Sequence, residues 1–269
     1  MRRAWRAIRY SSVGLFFTGI ISFIQGCSQS DINFAFILWL ILSLLGIGGD
    51  SEPGDGGGSV PLSTGPQITF ECSLDICVMP SGGGAVTNLS SANSTSDIDP
   101  QWSPDSSQIA FDCSDDICVV PSKGGAVTNL TSANSTDDVD PEWSPDGSQI
   151  AFFCSADICV VPSGGGVVTN LTSANSTNDV DPQWSPDGSQ IAFDCSEDIC
   201  VVPSGGGAVT NLTNANSTFD RDPQWSPDGS QIAFNCSSDI CVMPSGGGGV
   251  TNLSSSNSTS DVDPQWSPD

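Results

Sequence analysis

A ten-residue stretch that recurs every 41 residues constrains this chain more than any other feature. The copy Trp-Ser-Pro-Asp-Gly-Ser-Gln-Ile-Ala-Phe that begins at Trp184 recurs almost unchanged at Trp102, Trp143 and Trp225, and its first four residues recur at Trp266. A fixed period of this length is typical of repeat architectures, in which each copy is one supersecondary unit that cannot bury its apolar face alone. The sequence therefore predicts an array of equivalent units.

One repeat reads as four short strands separated by turns. In the copy that begins at Asp181, the strands are predicted over residues 181–186, 190–195, 199–202 and 208–212. Pro, Asp and Gly of the Ser-Pro-Asp-Gly stretch suit the second, third and fourth positions of a turn. Four short antiparallel strands in about 40 residues are the unit of a β-propeller blade.

The repeat resembles the TolB-type propeller repeat over residues 65–269. Residues 181–193 match its hallmark D-P-x-W-S-P-D-G-x-x-I-A-F. Two features depart from the family: the hairpin between strands two and three is shorter, and a cysteine replaces the usual aromatic residue of strand three. The resemblance implies an all-β propeller. It fixes no function, because such repeats serve as envelope scaffolds and as accessory domains of peptidases.

The phase of the repeats predicts how the array closes. The first copy begins at Gly65 without its tryptophan strand, the chain stops at Asp269, and the 205 residues between them equal five periods of 41. We expect a ring of five four-stranded blades in which the C-terminal strand completes the first blade, because closure removes open strand edges. The alternative is a truncated longer array that stops at this phase.

Each repeat also carries one pair of cysteines in a C-x-x-x-x-C spacing. With a two-residue turn at Glu197-Asp198, Cys195 would face Cys200 across a hairpin, within reach of a disulfide after a local adjustment. Free thiols and metal sites are the alternatives, and zinc would require two pairs to converge. Disulfides would place the repeats in an oxidising compartment. The predicted pairs are Cys72–Cys77, Cys113–Cys118, Cys154–Cys159, Cys195–Cys200 and Cys236–Cys241.

The N-terminal part differs from the repeats. Residues 1–27 carry four arginines and a short apolar run and resemble a bacterial lipoprotein signal that ends in Ile-Gln-Gly-Cys, with Cys27 as the lipidated residue. Residues 28–48 contain a second apolar run, which is shorter than the roughly 20 residues that span a bilayer comfortably. Residues 49–64 form a linker rich in Gly, Ser, Pro and acid. The propeller follows at residues 65–269.

These segments predict a membrane-anchored envelope protein with its repeats on the periplasmic or extracellular side. The anchor is either the lipid or a transmembrane segment, and the arginines fix the N-terminus inside. A two-helix hairpin would return the repeats to the cytoplasm, and the cysteine pairs argue against that topology.

Charge narrows the class of partner. Beyond Gly26, only Lys123 and Arg221 oppose all 31 acidic residues. Such a field repels nucleic acid and anionic headgroups and attracts cations and basic proteins. We therefore expect a protein partner of basic character and no nucleic acid. The alternative is that the charge only keeps a surface protein soluble.

The sequence contains no histidine. Its absence excludes Ser-His-Asp and Cys-His catalysis and His-ligated metals. Neither a G-x-S-x-G elbow nor a phosphate-binding G-x-x-x-x-G-K-S/T occurs. We expect no catalytic residue, no small-molecule substrate and no cofactor, with Ca²⁺ as the one ion to consider.

The second aspartate of each Asp-x-Asp-Pro stretch is the candidate binding residue. The first strand of a propeller blade lines the central channel, so these side chains are predicted to ring the channel mouth. Such a ring could bind Ca²⁺ or a basic protein segment. Alternatively, Asp before Pro simply starts a turn, and we favour that interpretation over a specific metal site. The predicted acid ring comprises Asp99, Asp140, Asp181, Asp222 and Asp263.

Together these features predict a non-catalytic, protein-binding propeller scaffold of the cell envelope. One alternative is an accessory propeller of a serine peptidase whose catalytic domain is absent from this chain. Another is a structural surface protein stabilised by Ca²⁺. The Asn-Leu-Thr/Ser sequons that recur in the repeats are interpreted as residues of the fourth strand and its loop.

Overall fold

The computed structural model describes residues 65–268, except for residues 94, 134–136, 176, 215–217 and 257–259. In this part, 19 strands form five antiparallel sheets. No helix among these residues is long and apolar enough to cross a membrane. The predicted signal segment, Cys27, the second apolar run and the linker lie outside the described residues.

The strands follow the repeat, and the sheets are numbered here in chain order. Sheet 1 contains β1 (Gln67–Cys72), β2 (Asp75–Pro80) and β3 (Thr87–Asn88). Sheet 2 contains β4 (Asp97–Trp102), β5 (Gln108–Cys113), β6 (Ile117–Pro121) and β7 (Thr128–Asn129). Sheet 3 contains β8 (Asp138–Trp143), β9 (Gln149–Cys154), β10 (Asp157–Pro162) and β11 (Thr169–Asn170). Sheet 4 contains β12 (Asp179–Trp184), β13 (Gln190–Cys195), β14 (Asp198–Pro203) and β15 (Thr210–Asn211). Sheet 5 contains β16 (Asp220–Trp225), β17 (Gln231–Cys236), β18 (Asp239–Pro244) and β19 (Thr251–Asn252).

Sheets 2 to 5 have four strands in sequence order, as one propeller blade requires. The second strand lies between the first and the third, and the short fourth strand pairs with the third. Sheet 1 has only three strands, because no first strand precedes β1 among the described residues. In the part of the chain described, β1 is therefore an open edge.

The hairpin between the second and third strands turns one residue earlier than the sequence suggested. In sheet 4 the turn residues are Ser196 and Glu197, with φ of 51° and 82°. Positive φ at both central residues fits the right-handed twist of the flanking strands. The predicted register, with Cys195 opposite Cys200, is wrong: Cys195 opposes Asp198, and Cys200 opposes Phe193.

The disulfides nevertheless form between diagonal neighbours of this register. The Cα atoms of Cys195 and Cys200 are 5.8 Å apart, a usual separation for a disulfide. All five predicted cysteine pairs are joined in the structure. The choice among disulfides, free thiols and metal ligands is thus decided for disulfides.

The hydrophobic core lies between neighbouring sheets. Between sheets 3 and 4, Ala151 and Ile158 pack with Trp184 and Phe193. The Trp184 indole N–H donates a 3.1 Å hydrogen bond to the carbonyl oxygen of Glu142 on the preceding first strand. This bond satisfies a polar group that would otherwise be buried without a partner. The same bond is made by Trp143, Trp225 and Trp266.

The Asn-Leu-Thr/Ser motif holds the end of the fourth strand to the third. The Asn170 side-chain amide donates to Asp157 at 2.7 Å, and its oxygen accepts the backbone N–H of Thr172 at 3.1 Å. The Thr172 hydroxyl accepts the backbone N–H of Ile158 at 2.9 Å. These contacts agree with the interpretation of this motif as part of the strand and its loop.

The predicted closing strand is not formed. Residues 261–268 adopt no strand, and β1 pairs with β2 alone among the described residues. Ile68 of β1 is 49% exposed, whereas its counterpart Ile109 in sheet 2 is 0% exposed, because β4 covers the latter. Trp266 still donates its indole N–H to the carbonyl oxygen of Gln224 at 3.0 Å. Closure into a five-blade ring is therefore not confirmed.

Candidate functional site

The five aspartates of the predicted acid ring occupy one unusual backbone position. In sheet 4 the pairing of the first and second strands shifts between Val180 and Gln183, and Asp181 lies in this bulge with a φ of 55°. Aspartate tolerates this left-handed conformation better than most residues. The same conformation, with φ between 52° and 57°, is found at Asp99, Asp140, Asp222 and Asp263.

We call these five residues the aspartate edge. The first strands β4, β8, β12 and β16 contact one another in succession, so their aspartates follow in a row from sheet to sheet. Asp99, Asp140, Asp181 and Asp222 are partly exposed, and Asp263 is exposed. That the edge encircles a channel stays a prediction.

The first aspartate of each Asp-x-Asp-Pro stretch has a different role. Asp179 is completely buried and accepts hydrogen bonds from the Thr177 hydroxyl at 2.6 Å and the Asn175 amide at 2.9 Å. Its own backbone N–H donates to Ala156 in the neighbouring hairpin turn. Asp97 makes the corresponding contacts with Asn93 and Thr95. These aspartates therefore anchor the loop that enters the first strand.

The aspartates of the Ser-Pro-Asp-Gly turns are also committed to local structure. Asp187 accepts the Ser185 hydroxyl at 2.7 Å and the backbone N–H and hydroxyl of Ser189 at 3.0 and 2.8 Å. These bonds, led by that from Ser185, lower the pKa of Asp187 to about 2. The turn follows the last residue of β12, Trp184, whereas Asp181 of the aspartate edge lies near the start of that strand. It offers a natural control for the loss of negative charge.

A buried carboxyl that the sequence analysis missed lies beside the aspartate edge. Asp194 on β13 is 6% exposed, and its carboxyl accepts the backbone N–H of Asp222 in the next sheet at 3.0 Å. Carboxylate oxygens of Asp181, Asp194 and Asp222 lie within 4.8 Å of one another. The pKa of Asp194 is raised to about 9, mainly by burial and then by the charges of Asp181 and Asp222, while the hydrogen bond from the Asp222 backbone and the charge of Arg221 oppose the rise.

Asp112 on β5 has the equivalent position between sheets 2 and 3. It is 4% exposed, and burial is the main cause that raises its pKa to about 7. Asp115, Asp99 and Asp140 add to the rise through their negative charges, whereas a hydrogen bond from the Asp115 backbone lowers the pKa. The remaining repeats have Glu71, Phe153 and Asn235 at this position. The residue type at this position varies inside a Gln-Ile-Ala-Phe-x-Cys stretch that is otherwise repeated, and this variation could have drawn attention to the position in the sequence.

The cluster of Asp181, Asp194 and Asp222 offers one ligand atom from each of three carboxyl groups. Ca²⁺ prefers six to eight oxygen ligands and a net negative cage. Here three carboxyl groups lie together, and one of them, Asp194, already accepts the backbone N–H of Asp222. A calcium-stabilised protein therefore stays a prediction, and this group alone supplies fewer ligands than Ca²⁺ prefers.

Comparisons with known proteins identify the fold alone. No protein-family model matches the chain, and no curated protein sequence is significantly similar to it. A TolB-like protein of Agrobacterium tumefaciens is 21% identical, with a TM-score of 0.57 over 74% of this chain and 81% of that one. The virginiamycin B lyase of Staphylococcus aureus is 14% identical, with a TM-score of 0.58 over 72% of this chain and 68% of that one. The tricorn protease is 14% identical, with a TM-score of 0.55 over 74% of this chain and 23% of that one.

These structures support the β-propeller repeat that the sequence predicts. They include a lyase and a protease beside a TolB-like protein, so likeness of fold does not choose between enzyme and scaffold. Function must be argued from the chain's own residues, and the aspartate edge with the buried carboxyls beside it is the arrangement that the sheets bring together.

Proposed function

We propose that this chain is a non-catalytic β-propeller scaffold of the cell envelope that binds a protein partner through the aspartate edge. The observation that carries the proposal is the edge itself, where Asp99, Asp140, Asp181 and Asp222 are held at the same bulge, Asp263 has the same backbone conformation, and all five are at least partly exposed. A row of carboxylates in an acidic protein attracts a basic segment and steers its approach.

Apolar side chains beside the carboxylates suit a protein partner rather than a bare cation. The residue before the edge aspartate is apolar and at least partly exposed in four repeats, namely Ile98, Val139, Val180 and Val262. Leu74, in the turn between β1 and β2, is 65% exposed. Its carbonyl oxygen accepts the backbone N–H of Asp97, which places Leu74 next to the start of β4. Phe219, which is 50% exposed, directly precedes β16. Burial of such side chains contributes to protein interfaces.

The scaffold is proposed to be a closed ring of five blades, completed by residues 261–268 on the open edge of β1. Two observations support this arrangement. The sequence Asp-Val-Asp-Pro-Gln-Trp of residues 261–266 is identical to that of β12. Trp266 already makes the hydrogen bond to the preceding first strand that defines the position of a new first strand. Pairing with β1 would cover Ile68 as β4 covers Ile109.

The envelope location is proposed to depend on a lipid at Cys27. The five disulfides support an oxidising compartment for the repeats, and the sequence around Cys27 resembles a lipobox. We expect Cys27→Ser to abolish acyl labelling and signal processing in the producing cell. Metabolic labelling with a fatty acid checks this expectation. Undiminished labelling of the variant would eliminate Cys27 as the site.

The binding role is tested by removing charge at either end of the first strands. Asp99, Asp140, Asp181 and Asp222 are changed together to Asn, which tolerates the same backbone conformation. The matched control changes Asp105, Asp146, Asp187 and Asp228 of the turns to Asn, which removes the same charge elsewhere. After cross-linking in the envelope, partner proteins recovered with the edge variant should fall about tenfold or more, whereas the turn variant should retain them. Equal recovery with both variants would contradict the proposal.

The alternative of an accessory propeller in a serine peptidase draws some support from the likeness to part of the tricorn protease. That reading requires a hydrolase domain, because this chain contains no histidine. A G-x-S-x-G stretch followed by Asp and His in the gene beyond residue 269 would favour it. Their absence from the full gene would favour the scaffold.

A further inference from the structure

Two grooves lie beside the Ser-Pro-Asp turns, away from the aspartate edge. One, of about 360 Å³, lies between sheets 2 and 3, and the other, of about 410 Å³, lies between sheets 4 and 5. We call them the turn grooves. The same positions of the repeat line both: the Ser-Pro-Asp turn and a glutamine of one sheet, and the tryptophan of the next sheet. These are residues 103–105, Gln108 and Trp143 in the first groove. Trp143 is the last residue of β8, whereas Asp140 of the aspartate edge lies near the start of that strand.

Tryptophan and proline supply the apolar part of the lining. In the first groove Trp143 is 7% exposed, and its indole N–H donates to the carbonyl oxygen of Gln101 at 3.1 Å. The tryptophan therefore offers the groove apolar surface and no donor. Pro104 and Pro145 of successive turns also line the groove. The two turns lie close together, because a Cβ on Gly147 would be 3.7 Å from Cδ of Pro104.

The side-chain amide of the glutamine is the polar group that the turn does not use. The Ser103 hydroxyl donates to Asp105 at 2.7 Å and accepts the backbone N–H of Gln108 at 3.0 Å. Gln190 is held in the same way, so both glutamines bond to their turns through the backbone alone. In sheet 1 the amide nitrogen of Gln67, at the equivalent position, is buried and has no hydrogen-bond partner among the described residues. A buried polar group without a partner is uncommon and indicates a missing one.

From this lining we propose that the turn grooves bind neutral sugar units of a glycan, a function that goes beyond the proposed binding of a protein partner. A sugar ring carries C–H groups on its faces, which pack on tryptophan and proline. Its hydroxyl groups both donate and accept, as the glutamine amide does. A purely apolar ligand would bury the polar groups of the groove without partners.

The carboxylates of the grooves disfavour anionic sugars and are poorly suited to an ammonium group. Asp105 and Asp146 line the first groove, and the whole chain carries a net charge of −25, so an anionic ligand is repelled. Asp146 already accepts the hydroxyl of Ser144 and the backbone N–H and hydroxyl of Ser148. An ammonium group donates only, whereas a hydroxyl group can also accept from the amide of Gln108. A neutral polyhydroxy ligand therefore fits the lining best.

The test measures binding of the full chain to immobilised tetrasaccharides of glucose, mannose, galactose and N-acetylglucosamine, with a glucuronic acid tetrasaccharide as the anionic comparison. We expect at least one neutral tetrasaccharide to bind and the anionic one to be left. Gln108→Met combined with Gln190→Met keeps the length of both side chains and removes their amides. This groove variant should bind the preferred tetrasaccharide about tenfold or more weakly in calorimetric titration.

A matched control removes two amides outside the grooves. Gln101→Met combined with Gln183→Met makes the same change on the first strands β4 and β12 and should retain the affinity of the wild type. Thermal melts establish that each variant is folded. If the groove variant does not fold, Gln108→Ala combined with Gln190→Ala takes its place.

Three results would overturn the inference. They are a folded wild type that binds none of the neutral tetrasaccharides, equal affinity of the wild type and the folded groove variant, and preference for the glucuronic acid tetrasaccharide. Displacement of the bound tetrasaccharide by deca-lysine would also contradict it, because the grooves would then accept a basic peptide. The binding of a protein partner at the aspartate edge is tested separately and stands or falls on its own variants.

Discussion

Deletion of residues 262–269 is expected to lower the free energy of unfolding by about 3 kcal/mol or more, which corresponds to a fall of about 6–12 °C in the thermal midpoint. The expected loss comes from removing Trp266, which bonds to Gln224, and, in the proposed closed ring, from uncovering β1. If the segment pairs with β1 as β4 pairs with β5, Trp266 opposes Ile68 as Trp102 opposes Ile109. A large aromatic residue and an edge strand are then lost together.

A matched pair of single substitutions tests the same closure without truncation. Ile109→Ala removes a completely buried side chain and should cost about 2–5 kcal/mol. Ile68→Ala should approach this cost in a closed ring, because residues 261–268 would cover it. In an open array, the 49% exposure of Ile68 limits the cost to a smaller value. Thermal melts of both variants and of the deletion provide the comparison.

Two results would speak against closure. One is a deletion that leaves the midpoint unchanged, as expected for an unpaired tail. The other is an Ile68→Ala variant that is as stable as the wild type while Ile109→Ala is strongly destabilised. In a closed ring, Ile68→Ala combined with Trp266→Ala should also be non-additive, since contacting residues couple by about 0.5–3 kcal/mol.

Strand positions were predictable because turn residues such as Ser-Pro-Asp-Gly mark the ends of the strands in each repeat. The predicted second strand, residues 190–195, coincides with β13 (Gln190–Cys195), and the Ser-Pro-Asp-Gly turn precedes it as expected. The period of 41 residues then fixes the remaining sheets, because equivalent residues meet equivalent neighbours. The all-β fold and the cysteine pairs follow from the same repetition.

The hairpin register could not be deduced from residue spacing alone. A two-residue turn is compatible with Ser196-Glu197 and with Glu197-Asp198, and only the first choice gives the observed pairing of Cys195 with Asp198. The decisive factor is strand twist, which favours a turn with two residues at positive φ. Serine and glutamate do not predict positive φ, whereas glycine at these positions would have done so.

The different roles of the aspartates were also hidden from the sequence. Asp179 and Asp181 are two residues apart in one motif, yet the first is completely buried and the second lies in a partly exposed bulge. The burial of Asp194 depends on sheet 5, whose Asp222 donates a backbone N–H to it. Such contacts between repeats require the packing of neighbouring sheets, which a strand pattern does not supply.

Asp194 is expected to make the protein less stable as pH rises from about 4 to about 9. Its pKa is about 9 in the folded protein and near 3.8 when unfolded, so the folded state binds more protons throughout this window. The contribution to stability is complete below the unfolded pKa and is lost as pH rises through the folded pKa, with a slope of at most about 1.4 kcal/mol per pH unit. By pH 9 the loss is on the order of several kcal/mol.

Asp194→Asn should remove this dependence while it keeps the fold. The amide can accept the backbone N–H of Asp222, and Asn235 already occupies the equivalent place in sheet 5. We expect the variant to match the wild type near pH 4 and to exceed its thermal midpoint increasingly toward pH 9. Asp187→Asn is a control whose effect on the pH dependence of stability has the opposite sign. Because the pKa of Asp187 is lowered to about 2, its ionised form stabilises the protein above pH 4, and this stabilisation is lost in acid. A wild-type midpoint that does not fall between pH 5 and pH 9, or an Asp194→Asn variant that falls in parallel with it, would show that Asp194 is ionised in the folded protein.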